Sequence, residues 1–185
     1  MNRKETDLRE VRSIAIGFLG VDIAETKISF IASHPFTNTW QVCLPKEGVR
    51  GGEMVDLHDE ENGERWRNFL QEQIENANLV EVFMMLNRPY ILNFLKFVES
   101  YLTDEDLGVV LGSFWTLIEQ ISLDDSVTGK DLIKWFKRAT KDKLMDGDEL
   151  KKFYSFPEMI TVYRGVTSHN KKKKKAFSWT TDKNI

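Results

Sequence analysis

From residue 64 to residue 154 apolar side chains return every three or four positions, and polar caps punctuate the run. This pattern restricts the possible folds more than any other feature of the chain. Trp66, Phe69, Leu70 and Ile74 share one helical face. A short apolar stretch covers residues 79–86, and Pro89 suits the first turn of a helix through residue 102, where its missing N–H is not needed. Thr103 with Asp106, Thr128 with Asp131, and Asp146 with Glu149 have the spacing of a capping box. They precede apolar-periodic segments over 107–120, 132–139 and 150–154. The spacing predicts a packed helical module over residues 64–156.

Ahead of that module the period is two. Ile14, Ile16 and Phe18 alternate with small residues, Ile28 and Phe30 with polar ones, and Trp40, Val42 and Leu44 with Thr39, Gln41 and Cys43. Alternation predicts half-buried strands near 13–21, 27–33 and 38–44, joined as a β-meander within residues 1–63. Residues 45–63 read as an exposed loop containing Gly48, Gly51, Gly52 and Gly63. Its last part opens an acidic run over 53–64: Glu53, Asp56, Asp59, Glu60, Glu61 and Glu64, with no Lys or Arg between them. Such a run is a solvated segment or a face for a basic partner. Beyond Pro157 the pattern turns β again, with strands expected near 160–165 and 176–180 around the lysine run Lys171, Lys172, Lys173, Lys174 and Lys175. The fold class expected is α+β: an N-terminal β-meander, a helical middle and a small β core over residues 157–185.

Composition removes several functions. The single cysteine, Cys43, excludes an intramolecular disulfide framework and cysteine-rich zinc sites. No apolar run approaches the roughly 18 residues of a membrane span. Residues 1–7 lack the apolar stretch of a signal peptide, so a cytoplasmic protein is expected. The pI near 5.7 argues against dedicated duplex DNA binding. His34, His58 and His169 form no close ligand pair with one another or with Cys43, so no metal site is expected. Cys43 lies inside a strand pattern and reads as a packed thiol. Gly48-Val49-Arg50-Gly51-Gly52 lacks the lysine and the strand–helix context of a phosphate loop.

Two short motifs remain, Tyr163-Arg164-Gly165 and Ser178-Trp179-Thr180. An arginine leaving a strand, beside a glycine that admits a ligand to the backbone, suits a phosphate clamp. A serine on an adjacent strand can set a hydroxyl against a ribose. With Leu86-Asn87-Arg88-Pro89-Tyr90, Leu92-Asn93-Phe94-Leu95-Lys96-Phe97, Leu132-Ile133-Lys134-Trp135-Phe136-Lys137 and Leu144-Met145-Asp146, they make residues 79–182 resemble a family. It comprises phage and mobile-element proteins of firmicute bacteria with an Arg-Ser-Glu class ADP-ribosyltransferase core. The resemblance implies that Arg164 holds the phosphates and ribose of NAD and that Ser178 orients the nicotinamide ribose. It implies that Tyr163 and Trp179 shape the pocket, flanked by Gly165 and Thr180. The family's catalytic glutamate lies well downstream of its Ser-Trp-Thr strand. Here five residues follow Thr180, and no glutamate follows Glu158. Loss of such a carboxylate typically costs about 10²–10⁴ in rate, so little transferase activity is expected of these residues.

Three functions are compatible with this reading. The first is a non-enzymatic effector that binds and inhibits a host bacterial protein or nucleoprotein complex, such as a CRISPR-Cas defence system. Asp56, Asp59, Glu60 and Glu61 would then imitate nucleic acid to a basic groove. The second is a truncated NAD-dependent protein ADP-ribosyltransferase, its C-terminal part removed or supplied separately. The third is RNA binding or processing, with the five lysines beside Phe177 and Trp179 giving charge and stacking together.

Overall fold

The computed structural model describes residues 4–117, 126–165 and 180–184. The chain divides into two compact units, Met1–Leu144 and Met145–Ile185. Both sheets lie in the first unit.

The chain enters that unit through helix α1, Leu8–Leu19, where a strand is expected at 13–21. Asp7 caps the helix, its carboxylate accepting the Glu10 N–H at 3.3 Å. Val11, Ala15 and Leu19 then fall at four-residue spacing and are buried. The alternating Ile14, Ile16 and Phe18 only flank this stripe and stay half-buried. The cap and the 3.6-residue stripe therefore outweigh the apparent alternation. Arg12 fixes the helix to the next layer by donating to the Ala77 carbonyl at 2.9 and 2.6 Å.

The meander exists but is shorter than the alternation implies, and the segment expected as its third strand, 38–44, is divided between it and a second sheet. Strands β1 (Ala24–Glu25), β2 (Ile31–His34) and β3 (Thr37–Thr39) form an antiparallel sheet in chain order. The segment expected as a loop over 45–63 is ordered differently. Strands β4 (Gln41–Lys46) and β5 (Val49–Asp56) make a hairpin, with Gln41 opposite Asp56 and Lys46 opposite Val49. Gly52 must be glycine: its φ is +82°, and a Cβ there would strike the Leu44 carbonyl. Helix α2 then starts at Glu60, inside the expected loop.

The helical module follows the capping signals. Helices α2 (Glu60–Asn76), α3 (Leu79–Met85), α4 (Ile91–Val98), α5 (Asp104–Phe114), α6 (Gly129–Arg138) and α7 (Lys141–Leu144) complete the first unit, and α8 (Gly147–Ser155) lies in the second. Pro89 sits in a 3-10 turn that leads into α4. The Thr128/Asp131 and Asp146/Glu149 boxes form as expected. The third is rewired. Thr103 accepts the Asp106 N–H at 3.0 Å, but the Asp106 carboxylate takes the Thr6 hydroxyl, and Thr6 Oγ1 accepts the Thr103 N–H at 3.0 Å. A residue near the chain's beginning thus completes the cap of α5.

One core joins these parts. Val11 and Leu19 of α1, Ala32 of β2 and Leu44 and Val55 of the hairpin are buried with Trp66, Phe83, Phe94, Leu107 and Trp135 of the helices. Phe94 meets Phe18 edge-on at 5.3 Å and Phe83 at 5.1 Å, a geometry favoured by the ring quadrupoles. Two glycines let α7 close the far side. A Cβ on Gly108 would lie 2.8 Å from the Thr140 oxygen, and one on Gly112 would lie 2.8 Å from the Leu144 oxygen. Arg138, at the end of α6, donates to Asp104 Oδ1 at 2.7 Å and to the Glu99 carbonyl at 2.6 Å. It also donates to Glu99 Oε2 at 2.7 Å and to the Leu102 carbonyl.

In the second unit no described residue of α8 is buried. The strand expected at 160–165 is reduced to an isolated antiparallel bridge, Tyr163 with Thr180. The strand expected at 176–180 falls almost wholly outside the described residues, as do Ser178, Trp179 and the lysines 171–175.

Candidate functional site

The acidic run spans the corner from the end of β5 into the start of α2. Val55 and Leu57 point into the core, each 6% exposed, so the alternation of the strand turns Asp56 and His58 outward. The Leu57 N–H bonds the Trp40 carbonyl at 2.8 Å and pins the corner. Asp56 Oδ1 accepts from the His58 backbone at 2.9 Å and from its Nδ1 at 2.7 Å. These bonds, the backbone one first, hold the Asp56 carboxyl below its ordinary range. The imidazole stacks on Trp40 at 4.0 Å. Asp59 caps α2 by accepting the Asn62 N–H at 3.0 Å.

The run is less uniform in charge than its sequence implies. Glu53 is clamped between Arg65 and Lys46, each at 2.5 Å. The Arg65 bond, then that of Lys46, depresses its carboxyl. Two cations from outside the run therefore answer its first acid. The exposed negative face narrows to Asp56, Asp59, Glu60, Glu61 and Glu64, all about the first turn of α2. Glu60 and Glu61 also favour the helix itself, since carboxylates near an N-terminus offset its dipole by about 0.3–1 kcal/mol each.

Of the nucleotide motif, Tyr163, Arg164, Gly165 and Thr180 are described. The Tyr163 N–H bonds the Thr180 carbonyl at 2.7 Å, and the Thr180 N–H returns to the Tyr163 carbonyl at 2.9 Å. The two motif segments are thus brought together at one bridge. A Cβ on Gly165 would meet nothing within 4 Å. Tyr163 and Arg164 are half-buried, and no described residue between 145 and 165 is buried. The described residues of this segment do not enclose a dinucleotide.

Elsewhere, an open cleft of about 510 Å³ lies between Thr6, Thr103, Asp106 and Thr140. Thr6, Thr103 and Asp106 in its wall already bond one another in the α5 cap, and Lys4, Glu5 and Glu105 complete its charged rim. Cys43 is exposed, not packed as expected, and its thiol donates to the Gly51 carbonyl at 2.8 Å. The hairpin explains this, because Cys43 pairs with the equally outward Met54 while Leu44 points inward. Among the described residues no cluster of three His, Cys, Asp or Glu groups is placed to hold a metal ion. No helix among them is long and apolar enough to cross a membrane.

Compared with protein-family models, with curated proteins and with solved structures, the chain matches none. The likeness to ADP-ribosyltransferases rests on the quoted residues alone. Sequence reasoning missed the Trp40–His58–Asp56 arrangement, the Glu53 clamp and the close approach of α7 to α5. The Gly108/Gly112 spacing of four was a readable signal for the last.

Proposed function

We propose that this chain is a phage or mobile-element effector that acts by binding a host bacterial protein or nucleoprotein complex, of the kind a CRISPR-Cas defence system presents. The observation that carries this reading is the fixed acidic corner. Asp56 is held by His58, Asp59 is committed to a cap, and Glu60 and Glu61 project from the first turn of a helix seated on the core. The Asp56 and Asp59 carboxylates, so held, meet a basic groove with little further ordering, which is how preorganisation improves binding. Their field steers association over roughly the Debye length, about 8 Å at physiological salt.

The experiment compares two variants against a basic partner recovered from host lysate. One carries Asp56→Asn, Asp59→Asn, Glu60→Gln and Glu61→Gln together, and the other carries Arg164→Ala. The corner variant is expected to associate more slowly, most strongly at low salt, and Arg164→Ala to bind as the unaltered chain does. Loss of binding in Arg164→Ala with an unaffected corner variant would reverse the assignment.

A second reading keeps one observation in its favour. The Tyr163–Thr180 bridge joins the two segments that resemble the NAD-binding motifs. Incubation with labelled NAD separates the readings. No transfer is expected from these residues, and an Arg164-dependent signal would establish a transferase.

A further inference from the structure

His34 has no exposed surface, and its two ring nitrogens face partners of opposite kind. Nε2 lies 3.0 Å from the Val21 carbonyl, which can only accept. Nδ1 lies 3.0 Å from the Phe36 N–H, which can only donate. One protonation state satisfies both: the neutral ring with its proton on Nε2. A second proton on Nδ1 would point at the Phe36 N–H, turn an acceptor into a donor and leave both groups without a bond in a dry site.

The residues around the ring belong to different parts of the unit. Val21 follows α1, His34 and Phe36 form the β2–β3 turn, and Trp66 of α2 meets the ring edge-on at 5.1 Å. Asn87, before the 3-10 turn that leads into α4, donates its side chain to the His34 carbonyl and its backbone N–H to the Pro35 carbonyl, both at 2.8 Å. The turn over residues 34–36 is therefore keyed to the segment after α1 and to α2 through the imidazole, and to Asn87 through its own backbone carbonyls.

We propose that the 34–36 turn is an acid-released latch: protonation of His34 expels the turn and uncovers the apolar surface of Trp66 and Phe36, while the helices beneath stay folded. The groups facing the ring favour this outcome. The α1 side offers only the carbonyls of Leu19 and Val21, the hairpin offers the Phe36 amide, and Asn87 is neutral. The charge acting on the ring is that of Arg67 on α2, which opposes a second positive charge. No carboxylate among the described residues bonds the ring. Burial, the largest effect, accordingly holds the imidazole below its ordinary value of 6.5.

The sign follows from linkage. Above the ordinary value the ring is neutral in both the latched and the released state, and the latch is intact. As pH falls below it, the released ring takes up a proton first, and release is favoured increasingly down to the latched pKa. The ring thus acts within the range where histidine responds to mild acid.

Hydrogen exchange of the whole chain at about pH 7.5 and about pH 5, corrected for intrinsic rates, tests the latch. The amides of Phe36 and Asn87 are expected to lose about tenfold or more of their protection at the lower pH, while those of α4 and α5 keep theirs. His34→Gln supplies one donor and one acceptor but cannot titrate, so its protection at Phe36 and Asn87 should not change with pH. Unchanged protection in the parent chain would overturn the proposal. So would α4 and α5 opening in the same step, or the same pH dependence in His34→Gln. Should that variant fail to fold, the NMR titration of His34 in the parent chain decides: an apparent pKa at or above the ordinary 6.5 removes the latch.

Discussion

Replacing Gly108 by alanine should reverse the effect that substitution normally has inside a helix. At an open helical site alanine gains about 1 kcal/mol over glycine, because less backbone freedom is lost on folding. Gly17 in α1 is such a site, since a Cβ there meets nothing within 4 Å. Gly17→Ala should therefore stabilise the protein by about 0.5–1 kcal/mol. At Gly108 the same methyl would sit 2.8 Å from the Thr140 oxygen and 2.9 Å from Lys143 Cβ. Neither is the yielding end of a long side chain, so α7 must move away from α5. Overpacking of this kind costs about 1–3 kcal/mol. The displacement also strains the Thr140 N–H bond to the Asp104 carbonyl at 3.0 Å, worth about 1 kcal/mol. After the propensity gain, a net loss of about 1–3 kcal/mol remains. Urea unfolding followed by circular dichroism reads both variants as shifts in midpoint at constant slope. If Gly108→Ala stabilised the protein as much as Gly17→Ala, the tight α5–α7 contact would be refuted.

The other predictions concern charge. Arg138→Met should destabilise by about 2–4 kcal/mol, because it strands the Leu102 and Glu99 carbonyls and the Asp104 carboxylate, and the same unfolding assay measures it. Arg138→Lys should recover only part of the loss, since an ammonium cannot reproduce the planar fork. Glu53 is held below its ordinary value of 4.5 by Arg65 and Lys46. Its contribution is therefore present above that value and lost as pH falls through the lowered pKa, so Glu53→Gln should flatten the acid limb of a stability–pH profile. The fourfold corner variant should unfold near the parent's midpoint, within the small helix-dipole contributions of Glu60 and Glu61 and the loss of the charged Asp56–His58 bonds, so slower association can be assigned to lost charge.

The helices were readable because their ends are written locally. Thr128 with Asp131 and Asp146 with Glu149 specify their caps within four residues, and Asn78 with Glu81 forms a further box of the same spacing that the sequence reading passed over. What failed depended on context. Ile14, Ile16 and Phe18 alternate as a strand would, but Asp7 and the Val11–Ala15–Leu19 stripe decide for a helix. The glycine-rich 48–52 segment reads as a loop because glycine marks turns, yet Gly52 is there to let its strand pass the Leu44 carbonyl. The acidic residues were found, but not the neutralisation of Glu53, since Lys46 and Arg65 reach it from separate elements. His34 carried no signal beyond its place before Pro35, because its role depends on two backbone groups that folding brings to it.

The completion of the α5 cap by Thr6 also orders events in time. Thr6 leaves the ribosome long before its partners: 97 residues separate it from Thr103, and Asp7 likewise bonds the distant Tyr101 carbonyl through its N–H at 2.9 Å. At roughly 5–20 residues per second, the first helix waits about 5–20 seconds for the segment that fixes its start. During the first part of that interval, until α2, α3 and α4 have been made, the stripe of Val11, Ala15 and Leu19 lacks the helices that pack against α1. Synonymous codons that slow translation between residues 20 and 100 would lengthen the exposure without altering a single side chain.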